Sequence, residues 1–182
     1  MVNIKTIQEM LTRAIFEVFE KMYYIFSEPL RGNGANYQMK STINFSGSAN
    51  GRIQIFLSRG IAEKMVENML NLQQDEIDLT IMADCVRESL NMVCGNFLRK
   101  LDPERVFDLS LPIFEMIPDD GDRGPEAMDH QMDLTFVAEG GNMRLILTAP
   151  DIRSRLITVT CFNRSSAGWV WDDGLAAFAE GR

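Results

Sequence analysis

Apolar residues recur at helical spacing from residue 3 to residue 26: Ile4, Ile7, Met10, Leu11, Ile15, Val18, Phe19 and Met22. That period predicts an amphipathic helix packed on a core. Glu9, Glu17 and Glu20 share its polar face, which fits a core-packing helix better than one lying on an anionic membrane. Pro29, Gly32 and Gly34 are expected to end it.

The period then changes to two. Tyr37, Met39, Ile43 and Phe45 alternate with polar residues, as do Ile53, Ile55 and Leu57. Gly47-Ser48-Ala49-Asn50-Gly51 between them has turn composition, so a hairpin is predicted. A short helix is expected over residues 60–71, with Ile61, Met65 and Leu70 inward, followed by a polar break from Gln73 to Asp78. Residues 79–101 form a stronger helical pattern. Asp78 or Thr80 can cap its start, and Asp102-Pro103 marks its end.

The second half reads as strands. One is expected over Val106 to Leu111 before Pro112, two more over residues 130–138 and 143–148, and a last one over Leu156 to Phe162. Glu139-Gly140-Gly141-Asn142 is a second hairpin signal, and residues 118–127 have loop composition. Trp169 and Trp171 indicate that the tail packs, without fixing its structure. The order predicts an α/β fold of the α+β kind: three main helices on one face of a mainly antiparallel sheet of about six strands. Residues 1–162 form the expected domain and residues 163–182 a C-terminal tail.

Composition narrows the functional classes. A chain of 182 residues with 46% hydrophobic and 24% charged residues suits one soluble domain. The net charge of −8 disfavours nucleic acid and anionic membranes, which are polyanions, but permits a locally cationic protein partner. No apolar run reaches the roughly 20 residues that span a bilayer. Lys5, Glu9 and Arg13 interrupt the N-terminal pattern, against a secretory signal. Cys85, Cys94 and Cys161 show no metal-ligand spacing and are expected to be reduced thiols, the first two buried, in the cytoplasm. His130 is the single histidine, so a His-rich metal site is excluded and a Ser-His-Asp device has only that residue to use. No metal site and no cofactor of the chain's own are expected.

The chemistry that remains lies on the helix over 79–101. At 100° per residue, Met82, Val86, Leu90, Val93, Phe97 and Leu101 fall on one side. Asp84, Glu88, Asn91 and Gly95 fall opposite, away from the core. Glu88 and Asn91, three apart, stand side by side. They offer an anionic acceptor and a carboxamide with both donors and an acceptor. The pair has neither nucleophile nor metal, so it can work only on a partner that brings most of the chemistry. Gly95 costs about 1 kcal/mol relative to Ala inside a helix, which is tolerable where something large must approach. Spacing alone is weak: Glu139 and Asn142 repeat it in a Gly-Gly turn.

The segment Asp84-Cys-Val-Arg-Glu88-Ser-Leu-Asn91-Met-Val-Cys-Gly95-Asn96 resembles the signature helix of the CheC/CheX/FliY chemotaxis phosphatases. Their pattern is Asp or Ser, three residues, Glu, two residues, Asn, and a proline some twenty residues on. Pro112 follows Asn91 after twenty intervening residues, slightly short of the usual spacing, and is assigned a structural role. The signature occurs once, as in the single-site CheX-like branch, and the matched element order covers roughly residues 3–160.

The resemblance implies a CheC/CheX-like fold and a phosphatase acting on the aspartyl phosphate of a CheY-like response regulator in two-component signalling. Asn91 would orient the attacking water and Glu88 would pair with the partner's lysine. Asp84, Arg87 and Gly95 would contact the partner, which supplies its own divalent metal (Mg). It further implies a homodimer formed through sheet edges. A non-catalytic adaptor for a response regulator or flagellar switch component is the alternative, and a scaffold docking through Trp169 and Trp171 a third reading.

Overall fold

The computed structural model describes residues 4–30, 36–118, 131–150, 164–165 and 168–169. Three helices lie against one face of an antiparallel sheet. The helices are α1 (Ile4–Tyr23), α2 (Arg59–Leu70) and α3 (Leu79–Leu101). The main sheet contains β1 (Ser27–Pro29), β2 (Met39–Ser46), β3 (Gly51–Leu57), β4 (Asp108–Leu109), β5 (Ile113–Met116), β6 (Gln131–Ala138) and β7 (Gly141–Thr148). Its order is β1-β6-β7-β3-β2-β4, and β5 also pairs with β2. Every pairing is antiparallel. A separate hairpin joins β8 (Arg164–Ser165) to β9 (Gly168–Trp169).

The alternation in β2 and β7 orders the layers. Met39, Ile43 and Phe45 of β2, with Met143, Leu145 and Leu147 of β7, face the helices. They meet Leu11, Ile15, Val18 and Phe19 of α1 and Val86, Leu90, Val93 and Phe97 of α3. Each such side chain, removed from water, contributes about 1.5–3 kcal/mol before entropy is counted. On the opposite sheet face a smaller cluster holds Tyr37, Phe56, Ile117 and Ile146. Both faces of β3 are therefore covered, and its residues from Ile53 to Leu57 are all buried, polar Gln54 included. Arg144 and Asp133 pin this face by a two-point ion pair, Nε to Oδ1 at 2.9 Å and Nη2 to Oδ2 at 2.6 Å.

Several expectations need correction. The first helix stops at Tyr23, where Tyr24 turns left-handed (φ 54°) and the Ile25 amide reaches back to the Phe19 carbonyl. Pro29 is not a helix terminator but part of edge strand β1, where its missing N–H can face outward. Leu70 is exposed rather than inward. The strand expected over Val106 to Leu111 shrinks to β4, and β5 follows it. Both pair with β2, so they are one edge strand interrupted around Pro112, which has no N–H to give to a ladder. The second hairpin turn is tighter than expected, since β7 already begins at Gly141. The strand expected over residues 156–162 and the loop residues 119–127 lie outside the described residues, as do His130, Cys161 and Trp171.

Candidate functional site

The candidate site is the outward face of α3. Asp78 caps the helix, its Oδ1 accepting from the Ile81 amide at 2.9 Å. Arg99 and Lys100 lie in the last turn, where the helix dipole favours cations. Buried Met82, Val86, Leu90, Val93 and Phe97 anchor the inner face as expected. Ala83, Cys85, Ser89, Cys94 and Leu98 are buried as well, because α1 and α2 flank the helix. What remains outward is narrow: Asp84 and Glu88 are exposed, while Asn91 and Gly95 are half-buried.

Two of the expected partner contacts engage each other. Arg87 Nη1 donates to Asp84 Oδ1 at 2.8 Å, one turn away. Their charges offset, which leaves Glu88 as an anion of this face with no ion pair among the described residues. Among the described residues, neither Glu88 nor Asn91 makes a side-chain hydrogen bond or an ion pair. Both head groups are therefore available to a partner. A Cβ built on Gly95 would meet nothing within 4 Å. No contact in the structure demands glycine here.

Tyr23 holds this stretch of helix from behind. Its ring is fully buried and its hydroxyl donates to the Cys85 carbonyl at 3.3 Å. Burial raises its ionisation well above the usual tyrosine range, and neighbouring Cys85 and Glu88 add to the effect. Ser89 Oγ donates to the Val86 carbonyl at 2.8 Å, inside the same turn. At the other end, Lys100 Nζ binds Glu17 Oε2 of α1 at 2.6 Å. The carboxylate and carboxamide thus ride on a helix tied to α1 on either side of them, at Cys85 and at Lys100.

Cys85 and Cys94 are buried, and burial pushes the Cys94 thiol up to about 12. Among the described residues, no group of three or more His, Cys, Asp or Glu side chains could hold a metal ion. No described helix is long and apolar enough to cross a membrane.

The periodicity of α1 gave no hint of Tyr23 as the tie to α3. It also gave none of the apolar surface beside it, where Met22, Tyr24 and Phe26 are exposed. The only signal was an aromatic run, Tyr23-Tyr24-Ile25-Phe26, continuing past the end of the core stripe.

The fold, three helices on one face of an antiparallel sheet, is like that of CheX/CheC-like structures. The family model described as chemotaxis phosphatase CheX matches residues 39–118, from β2 through α3 to just past β5. Chemotaxis protein CheX from Vibrio vulnificus superimposes with a TM-score of 0.64 at 19% identity, over 79% of this chain and 95% of that one. CheX from Desulfovibrio desulfuricans gives 0.62 at 20% identity, over 79% and 98%. A CheX–CheY–BeF3–Mg2+ complex from Borrelia burgdorferi gives 0.62 at 19% identity, over 78% and 96%. No curated protein matches the chain.

Proposed function

We propose that the protein is a cytoplasmic phosphatase for a phosphorylated CheY-like response regulator. The observation that carries this reading is the pair Glu88 and Asn91, outward on a rigid helix, uncommitted among the described residues, and beside an open glycine. The CheX family match across α3 supports it, and so does the likeness to a CheX that was crystallised with CheY.

The chemistry follows from what each side supplies. An aspartyl phosphate is a labile acyl phosphate, and the regulator's own divalent metal and lysine stabilise the transferred group. What hydrolysis lacks is a water held in line. Phosphoryl transfer is governed mainly by positioning and electrostatics, and a carboxamide that orients water is a recurring part. Asn91 supplies the carboxamide. Glu88 pairs with the regulator's lysine and fixes the approach. Such an ion pair matters more in a closed interface than on an exposed surface. Asp84 and Arg87, already joined, form the rim of the contact, and Gly95 lets the regulator come close. The helix brings no metal or cofactor of its own to the step.

A second copy of the chain is part of the proposal. Among the described residues the β4–β5 edge pairs with β2 alone and exposes Leu111, Ile113 and Met116, which is a template for sheet-edge pairing into a homodimer. The alternative is an adaptor that binds the regulator without turning it over. A substoichiometric amount of protein separates the two when phosphate release from phosphorylated regulator is followed. Many phosphates released per chain support the phosphatase. Release that never exceeds the regulator's own rate, with a bound complex present, supports the adaptor.

A further inference from the structure

The buried residues of α3 are apolar side chains and thiols, with one exception, Ser89, which is fully buried. The buried residues of α1 are aliphatic or aromatic, and only the last of them, Tyr23, carries a hydroxyl. These two hydroxyls go to adjacent carbonyls of a single turn. Tyr23 donates to the Cys85 carbonyl at 3.3 Å, and Ser89 Oγ donates to the Val86 carbonyl at 2.8 Å. In an α-helix those carbonyls already accept the amides four residues on, from Ser89 and Leu90. Neither carbonyl needs a second donor.

The fold does not require either hydroxyl. Phenylalanine would bury the same ring as Tyr23, as Phe19 does with its ring centroid 5.8 Å away. Alanine at position 89 would favour the helix more than serine. What the two hydroxyls share is their place. The carbonyls they bond lie three and two residues before Glu88, in the turn that carries Glu88 and leads into Asn91. A side-chain donor at a helical carbonyl draws it off the ladder and bends the helix locally. A bend here changes the separation of the Glu88 and Asn91 head groups, which stand one three-residue step apart. Tyr23 is itself braced: its carbonyl, at the end of α1, accepts from Asn68 Nδ2 of α2 at 2.7 Å. Burial, Cys85 and the charge of Glu88 all raise the ionisation of Tyr23, so the carboxylate is felt at the buried hydroxyl.

We infer that Tyr23 and Ser89 are positioning residues for the Glu88–Asn91 pair, setting the turn from the core side so that carboxylate and carboxamide keep the separation that hydrolysis of the regulator's aspartyl phosphate requires, an inference that rests on the phosphatase reading above. Both residues are buried, so neither touches the regulator. Their effect therefore falls on turnover rather than on binding. A carboxamide displaced by a fraction of an ångström still lies in the interface but no longer holds the water in line.

The test uses the full chain with phosphorylated CheY-like regulators of the same cell, and separates kcat from KM. Ser89→Ala is the decisive variant. It leaves the Val86 carbonyl its intrahelical partner, so the unfolding midpoint should hold or rise. Its kcat should fall about tenfold, with KM within about twofold of wild type. Tyr23→Phe should lower kcat by a similar factor, and should it fail to fold, Ser89→Ala decides alone. Ile146→Val, on the opposite face of the sheet, should lower stability and leave kcat unchanged. In the free protein, the side-chain amide resonance of Asn91 should move in both hydroxyl variants and stay in place in Ile146→Val. Wild-type kcat in either folded hydroxyl variant overturns the inference and leaves the phosphatase reading standing. A loss carried by KM, or a fall in kcat with the Asn91 resonance unmoved, also overturns the inference alone. A wild-type chain that accelerates no regulator overturns the phosphatase reading and the inference with it.

Discussion

The chain contains two Glu-x-x-Asn pairs, and the fold treats them in opposite ways. Glu88 and Asn91 lie on α3, where a three-residue step brings side chains together on one face. Glu139 lies in the β6–β7 turn and Asn142 in β7. The backbone of Asn142 is clamped on both sides by Ser58: its amide donates to Ser58 Oγ at 2.6 Å, and Ser58 Oγ donates to its carbonyl at 2.8 Å. Gly140 packs on Gly60 so tightly that a Cβ on Gly60 would lie 2.4 Å from the Gly140 carbonyl oxygen. The hairpin pair belongs to a joint between sheet and α2, whereas the side chains of the helical pair make no hydrogen bond or ion pair among the described residues. A spacing becomes a site only where the scaffold aligns the two side chains and leaves them uncommitted.

This contrast can be broken or sharpened experimentally. The largest expected effect is on recognition. Glu88→Ala should lower kcat/KM toward phosphorylated regulator by about 2–4 kcal/mol, as expected when one member of a desolvated charge pair is removed. Glu139→Ala should leave it unchanged. Next comes stability. Gly60→Ala should cost about 2–3 kcal/mol in denaturant unfolding, because the added Cβ meets backbone that cannot move aside. Gly140→Ala should do the same, with the strain of φ +97° added.

Gly95→Ala should behave in the opposite way. Its Cβ enters open space, so the free protein should gain about 1 kcal/mol from helix propensity while turnover falls. A gain in both would remove Gly95 from the interface. The smallest effect concerns Glu17, whose carboxyl the Lys100 hydrogen bond holds below its ordinary range. A lowered folded value means that the stabilisation is present above the unfolded carboxylate value. It is lost as pH falls through the lowered one. The pair is partly exposed, so the contribution is at most about 1 kcal/mol, and Glu17→Gln should flatten that acid limb of an unfolding titration.

Much of this architecture was legible in the sequence, for identifiable reasons. The α3 wheel predicted both faces correctly, because a long helix against a sheet has one period and one side to bury. The β2–β3 and β6–β7 hairpins were legible because glycine-rich turns separate alternating runs. The edge strands were not: β1 contains three residues and β5 four, too short for a period, and each is defined by its pairing partner. The end of α1 was misplaced because a left-handed tyrosine has no compositional signature. The Asp84–Arg87 pair was missed for another reason. Both residues were read as reaching outward, whereas an i, i+3 step lets them satisfy each other first.

The most direct test compares the two asparagines. Purified Asn91→Ala and Asn142→Ala should be mixed, each at substoichiometric amount, with phosphorylated regulator, and inorganic phosphate followed in time. Release should fall to the regulator's unassisted rate with Asn91→Ala and match wild type at saturating regulator with Asn142→Ala. Undiminished release with a folded Asn91→Ala would show that the carboxamide on α3 does not orient the attacking water.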